Sequence, residues 1–448
     1  MEKFVQRVFR MQPREAGLVF VLGFLLFGNS LARQVSGIVA VSGFLDTSSV
    51  NSMLLVMGID YTLVLLVGGL QSLIVDRYNR VKLMAGISLA FALVFIALRV
   101  LFAIGSPGWL NYSAMYLIAE QQLVLFPMIF WVLANDIFNF SQAQRLFPIV
   151  ASWSFVGKLV GIGIAWVTPN LFASLGIRPE EILLFNALIY VVGFLLVIAG
   201  LRQVRVRPTV QQAESVKETL TEGWDFMRGV DSFRYLMFAI IALAVADTII
   251  EFRFLVVTDA IFGGGAAYEQ FYSLYRLAAT LLGFVVQTFV TARLLKRIQV
   301  KNIFLIFPLV ILLGAGGALA SAGLWAAVAA MLSVKLVRET VDDSGRKSIQ
   351  SLVPEERRGR VSTFLDNYLP ASGTILACLV TGAIVGIGLW LGRDLHLVYL
   401  AVAFLCGAFA LWAILHMGKV YESSLLNWRL KRRQRASDTF IKKLTNKI

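Results

Sequence analysis

Runs of about 20 apolar residues, almost free of charge, recur along the whole chain of 448 residues. In hydrocarbon every backbone N–H and C=O must be paired within the protein, so a segment that enters it is either a helix or a strand of a closed barrel. The two-residue alternation of a barrel strand is absent, which leaves an all-α, polytopic membrane protein. Composition agrees: 58% of residues are hydrophobic, 15% are charged, and mean hydropathy is +0.76. Cys378 and Cys406 fall inside apolar runs without a C-x-x-C partner and read as small buried hydrophobes. With only His396 and His416, no metal site is expected, and no motif implies a cofactor.

The runs define twelve spans: 17–44, 50–75, 82–104, 110–135, 147–174, 181–201, 232–258, 269–294, 302–322, 324–344, 362–390 and 394–417. The tenth is the least regular, because Lys335, Arg338 and Glu339 stand in its second half. An even count puts both termini on one side. Lys and Arg crowd the termini and the even-numbered loops, and only Arg178 and Arg393 occupy the odd ones, so both termini are expected in the cytoplasm. Topology and anionic headgroups account for the net charge of +14, and no nucleic-acid partner is expected. The opening MEKFVQRVFRMQPRE has no cleavage-site pattern, so no removable targeting segment is expected.

Spans 6 and 7 are separated by a polar stretch that includes RQVRVRPTVQQAESVKETLTEGWDFMRG, with a surface helix expected near Ser215 to Arg228. The division is a six-helix bundle over 1–204, a cytoplasmic linker over 205–231, a second six-helix bundle over 232–418 and a basic tail over 419–448. The tail is expected to lie as an amphipathic helix on the inner leaflet or to form the stalk to a cytoplasmic protein partner. Polar residues deep in spans 1 and 7, and charged turns after spans 4 and 10, recur in corresponding places. This six-plus-six repeat resembles the major facilitator superfamily, whose halves rock about a midplane site. The loop GGLQSLIVDRYNRVK resembles that superfamily's signature Asp-Arg-x-Gly-Arg-Arg/Lys in Asp76, Arg77, Arg80 and Lys82, with Asn79 in the glycine position.

Residues 130–148, FWVLANDIFNFSQAQRLFP, place Asn135, Asp136 and Arg145 at a helix-to-helix corner between spans 4 and 5. The stretch is similar to the Phe-Trp-Gly-Phe-Ala-Asn-Gln-Ile and Glu-Ala-Lys-Arg/Lys-Phe-Tyr-Pro segments of the ATP/ADP translocases of plastids and intracellular bacteria. Phe130, Trp131, Ala134, Asn135, Ile137, Ala143, Arg145 and Pro148 carry the match. Glu120, Glu251 and Arg33 stand near family Glu and Arg positions, and RRGRVSTFLDNYLPASGT parallels a further family segment. The resemblance implies a nucleotide antiporter in a bacterial inner membrane, moving ATP and ADP. The chain departs from the family at two functional lysines: span 2 contains none, and Ala371 precedes Ser372-Gly373.

Ionisable residues at mid-bilayer cost a few kcal/mol on insertion scales, so each needs a partner or an aqueous cavity. Arg33, roughly 24 Å into span 1, shares a face with Asn29, and Lys158 is near the centre of span 5; both are expected to bind an anionic substrate. Glu120 is expected to neutralise one of them. Asp247 and Glu251 share a face of span 7, the expected cavity side, while Arg253 points the other way, toward a neighbouring helix. Tyr272 and Arg276 could clamp an anion or serve as structural anchors. Arg99 is expected to snorkel, and Asp60 is either a proton-coupling carboxylate or an arginine partner. No phosphate loop, H-E-x-x-H or G-x-S-x-G motif occurs, so an enzyme is not expected. Two readings stand: a secondary transporter of a nucleotide or other phosphorylated anion by alternating access, or a transport-silent module that couples to a cytoplasmic partner.

Overall fold

The structure, a computed structural model, describes residues 12–75, 79–202, 216–350, 353 and 355–445. It is all-α; no strand occurs among the described residues. The first half comprises α1 (Pro13–Thr47), α2 (Met53–Val75), α3 (Arg80–Ala103), α4 (Gly108–Ile137), α5 (Phe140–Leu175) and α6 (Ile182–Gly200). Next come α7 (Val216–Gly229), α8 (Asp231–Phe262), α9 (Gly265–Val285), α10 (Ile306–Ala320) and α11 (Leu324–Val337), then α12 (Asp343–Gln350), α13 (Glu355–Thr363), α14 (Leu369–Leu391) and α15 (His396–Thr445).

Among the described residues ten helices are long and apolar enough to cross a membrane. Helices also occupy the two remaining expected spans: α8, which carries several charges, and α11, which gives way to a π-helical turn at Arg338–Asp342 before α12. The charged half of the tenth span therefore departs from α-helical hydrogen bonding. Two more π turns, Val286–Thr291 and Phe364–Tyr368, follow α9 and precede α14. Such turns bulge one residue out of register and often mark functional positions.

Local chemistry sets the helix ends. Pro13 opens α1, where Gln12 and Glu15 form a capping box. Asn79, in the signature's glycine position, caps α3 by accepting from the N–H groups of Val81 and Lys82. Asn139 and Gln142 form a second capping box at α5, and Gly176, with φ +66°, ends that helix. Asp76 and Arg77 lie outside the described residues. The tail is continuous with the last span: α15 runs unbroken for 50 residues, because nothing after Gly418 interrupts helical bonding.

By contact the chain forms two compact units. One comprises Met1–Ser215 and Leu255–Leu281, the other Val216–Phe254 and Leu282–Ile448. In the first unit α1 is the central post, packed against α4, α5 and α6, while α3 packs on α6 and α4. Leu22, Val35, Phe95, Phe126, Phe130 and Leu133 are fully enclosed there. Gly157 and Gly161 bring α5 onto the α1 backbone; a Cβ at Gly161 would sit 2.7 Å from the Leu31 carbonyl oxygen. In the second unit α10 packs on α11 and α15, and α7 docks on α13, with Arg360 bonded to Glu222 and Gly223 seated on the Phe364 ring.

Candidate functional site

One stripe of α1 carries Ser30, Arg33, Gln34 and Gly37, spaced so that all four share a helix face. Ser30 Oγ and Ser154 Oγ of α5 are hydrogen-bonded at 2.6 Å. Arg33 Nη2 donates to both carboxylate oxygens of Glu120 on α4, at 3.1 and 3.3 Å. Gln34 Oε1 accepts from Arg276 Nη1 of α9 at 2.9 Å. Gly37 makes room for that guanidinium, since a Cβ there would stand 3.3 Å from Nη1.

Arg276 is further held by Tyr272, one turn back on α9. Its Nη2 donates to the Tyr272 hydroxyl at 3.3 Å, and its guanidinium carbon lies 5.0 Å from the ring centroid. Glu120 acts electrostatically on Arg276 as well as on Arg33. Two guanidinium groups thus draw on this one carboxylate, and each keeps its Nε–H buried without an acceptor. Lys158, half-buried on α5, lies one turn beyond Ser154 on the same helix face. The side chains of Arg33 and Glu120 are 15% and 21% exposed.

The second unit carries a matching constellation. Thr248 Oγ1 of α8 and Thr374 Oγ1 of α14 are hydrogen-bonded at 3.1 Å, and Arg338 pairs with Asp247. Gly373 lets α14 approach α8, a Cβ there falling 2.6 Å from the Ala244 Cβ and 2.7 Å from the Ile241 carbonyl oxygen. The same length of chain separates Ser30 from Thr248, Arg33 from Glu251 and Glu120 from Arg338. Glu251, half-buried, acts electrostatically on Cys378. Arg253, on another face, reaches the Tyr399 hydroxyl at 3.5 Å.

The corner residues are structural ties. Arg80 pairs with Asp136, which joins the start of α3 to the end of α4. Arg145 donates to Glu15 at 2.7 Å and Gln142 donates to the same carboxylate at 3.1 Å, holding the start of α5 to α1. Asn135 is exposed in the last turn of α4. Arg99 does not merely snorkel; it bonds Glu181 at 2.5 Å, because that residue stands at the start of α6 within reach. Asp60 accepts from Gln121 at 3.0 Å.

Sequence reasoning missed Gln34, although it stands four residues from Ser30 on the polar stripe. It also missed a buried chain in which Gln122 donates to the Tyr190 hydroxyl and Tyr190 donates to Asn29, both at 2.7 Å. Trp153 packs edge-on against Phe20 and Phe27, filling the space over Gly23. No cluster of His, Cys, Asp and Glu able to hold a metal occurs among the described residues.

No protein-family model matches the sequence, and no curated protein does. The fold does match solved structures. The nucleoside transporter NupG superposes with a TM-score of 0.61 at 14% identity, covering 90% of this chain and 99% of its own. An auto-inhibited peptide transporter of the POT family gives 0.62 at 14% identity over 92% and 97%. A bacterial homologue of the iron transporter ferroportin, in its inward-facing state, gives 0.62 at 13% identity over 91% and 100%. The chain is therefore an all-α, multi-pass membrane protein with a fold like that of the major facilitator superfamily.

Proposed function

We propose that the protein is a secondary transporter that exchanges a phosphorylated anion, a nucleotide foremost, by alternating access. The observation that carries this is the shared carboxylate: Arg33 and Arg276 both draw on Glu120 and are left with a net positive charge in apolar surroundings. An unbalanced cation in a low dielectric is costly, and an arriving anion relieves that cost. Arginine suits the task because it cannot shed its proton and because its forked donors match phosphate oxygens. Lys158 supplies a third cation, Tyr272 a ring and hydroxyl that hold the Arg276 guanidinium in place, and Gln34 a neutral polar contact.

The retained charges support transport over a passive scaffold, since a module that only held a cytoplasmic partner would gain nothing by burying Arg33 and Arg276. The fold supports it too: NupG, the POT protein and the ferroportin homologue are transporters by name. In this reading the protein sits in a bacterial inner membrane with both termini in the cytoplasm, as two six-helix halves over 1–204 and 232–418 joined by the 205–231 linker. Asp247 and Glu251 act with Arg338 as the second half's counterpart of the arginine site. Purified protein in liposomes is expected to take up labelled ADP only when ATP or ADP is enclosed, and Arg33→Ala, Arg276→Ala or Lys158→Ala should abolish uptake. Uptake without enclosed counter-substrate, or uptake undiminished by all three changes, would remove this reading.

A further inference from the structure

Glu269, in the second turn of α9, is 6% exposed, and its Oε1 atom is buried without a hydrogen-bond partner. The other buried acids described above have donors: Glu15, Asp60, Asp136 and Asp247 each face an Arg or Gln side chain. Among the described residues no cation pairs with Glu269. Tyr112 of α4 lies in the electrostatic reach of Glu269, Asp46 of α1 and Glu180 of the turn before α6. On the adjoining end of α8 stands Asp259, and on α9 itself stand Tyr268 and Tyr272. Arg276, two turns along, is engaged by Gln34 and Tyr272.

The same end of α9 is fastened to α1 through an unusual corner. Gly263, Gly264 and Gly265 have φ of +69°, +73° and +64°, a run of left-handed residues that only glycine adopts without strain. Ser42 Oγ donates to the Gly265 carbonyl at 2.6 Å, and Gly264 lies so close to the Asp46 backbone that any side chain would collide with it. A buried carboxylate with an unserved oxygen is tolerated when it carries a proton and is costly when it does not. An ionised Glu269 would stand uncompensated one turn from the glycine corner, in the acidic surroundings that Tyr112 shares with Asp46 and Glu180.

We propose that Glu269 is a proton-binding site, that its proton holds the α8–α9 corner closed on α1, and that transport is coupled to the release of that proton. The step is a simple acid dissociation: the carboxyl O–H breaks, the proton passes to water entering at the opened corner, and no other bond changes. This inference rests on the transporter reading but has its own readouts. The full chain in lipid is titrated by infrared difference spectroscopy, with the proton as probe. A carboxylic-acid carbonyl band is expected to disappear on raising the pH, to be absent throughout in Glu269→Gln, and to persist in Glu269→Asp.

In a Cys378→Ala, Cys406→Ala background, spin labels at Thr47→Cys and Ala267→Cys should move apart over the same pH range, and Glu269→Gln should hold them at the low-pH spacing. No titrating carboxyl band, or a band unaffected by Glu269→Gln, overturns the proton site; a normal titration with unchanged spacing overturns its hold on the corner. If both readouts behave as expected while no nucleotide is exchanged, the proton site stands and the nucleotide reading fails.

Discussion

The two units repeat one arrangement with the charges reversed. In the first, the arginine is on the long central helix and the acid on the fourth span, as Arg33 and Glu120. In the second, the acid is on the long helix and the arginine on the tenth span, as Asp247 and Arg338, with Asp247 one turn before Glu251, the residue equivalent to Arg33 by chain separation. An interhelical hydroxyl pair recurs, Ser30 with Ser154 and Thr248 with Thr374, and in each unit a glycine lets two helices approach closely, Gly161 at Leu31 and Gly373 at Ile241. Close packing of one backbone on another tolerates little change, whereas an ion pair needs opposite charges at its two positions and is indifferent to which helix bears which. The difference matters once a pair is broken. An orphaned carboxylate can take up a proton, and an orphaned arginine cannot shed one.

The largest effect is expected from Glu120→Leu, which strands Arg33 and should cost about 3 kcal/mol in thermal stability, with little relief at any pH. The double exchange Arg33→Glu with Glu120→Arg should restore most of that loss; a double variant as unstable as the single one would break the claim that the pair is sign-indifferent. Arg338→Leu strands Asp247, 6% exposed, beside a half-exposed arginine site, so a loss of about 2 kcal/mol at neutral pH is expected. Thermal unfolding of the purified variant in detergent checks it, and a variant as stable as the wild type would show that the pair contributes nothing.

Smaller and equal effects are expected from Gly161→Ala and Gly373→Ala. Each forces a Cβ against a backbone oxygen 2.7 Å away, for about 1 kcal/mol by unfolding in detergent. Ser30→Ala and Thr248→Val remove one interhelical hydrogen bond each and should cost roughly 0.5–1 kcal/mol apiece.

The helices were legible in the sequence because the bilayer leaves no other option for an apolar run. The choice of Glu120 as a partner for a buried cation could be made from sequence, since an acid deep in a span must face a positive group. Which cation it would face could not. Arg33 and Lys158 are equally plausible until the rotation of α4 about its axis is known, and Arg276, which shares Glu120, is far along the chain. The π turns were not legible either: the charges of Lys335, Arg338 and Glu339 marked the tenth span as irregular, but a register shift of one residue leaves no periodic trace in so short a segment. The partner of Arg99 was not legible, because only the fold brings Glu181, 82 residues further along the chain, beside it at the start of α6.

Whether Arg33 itself meets an anionic solute is decided by calorimetric titration of ADP into purified wild-type protein and into the Arg33→Glu/Glu120→Arg exchange. The exchange keeps the ion pair and the fold while moving the cation to α4. Binding by the wild type and none by the folded exchange variant is the expected result. Equal affinity in the two proteins would contradict it.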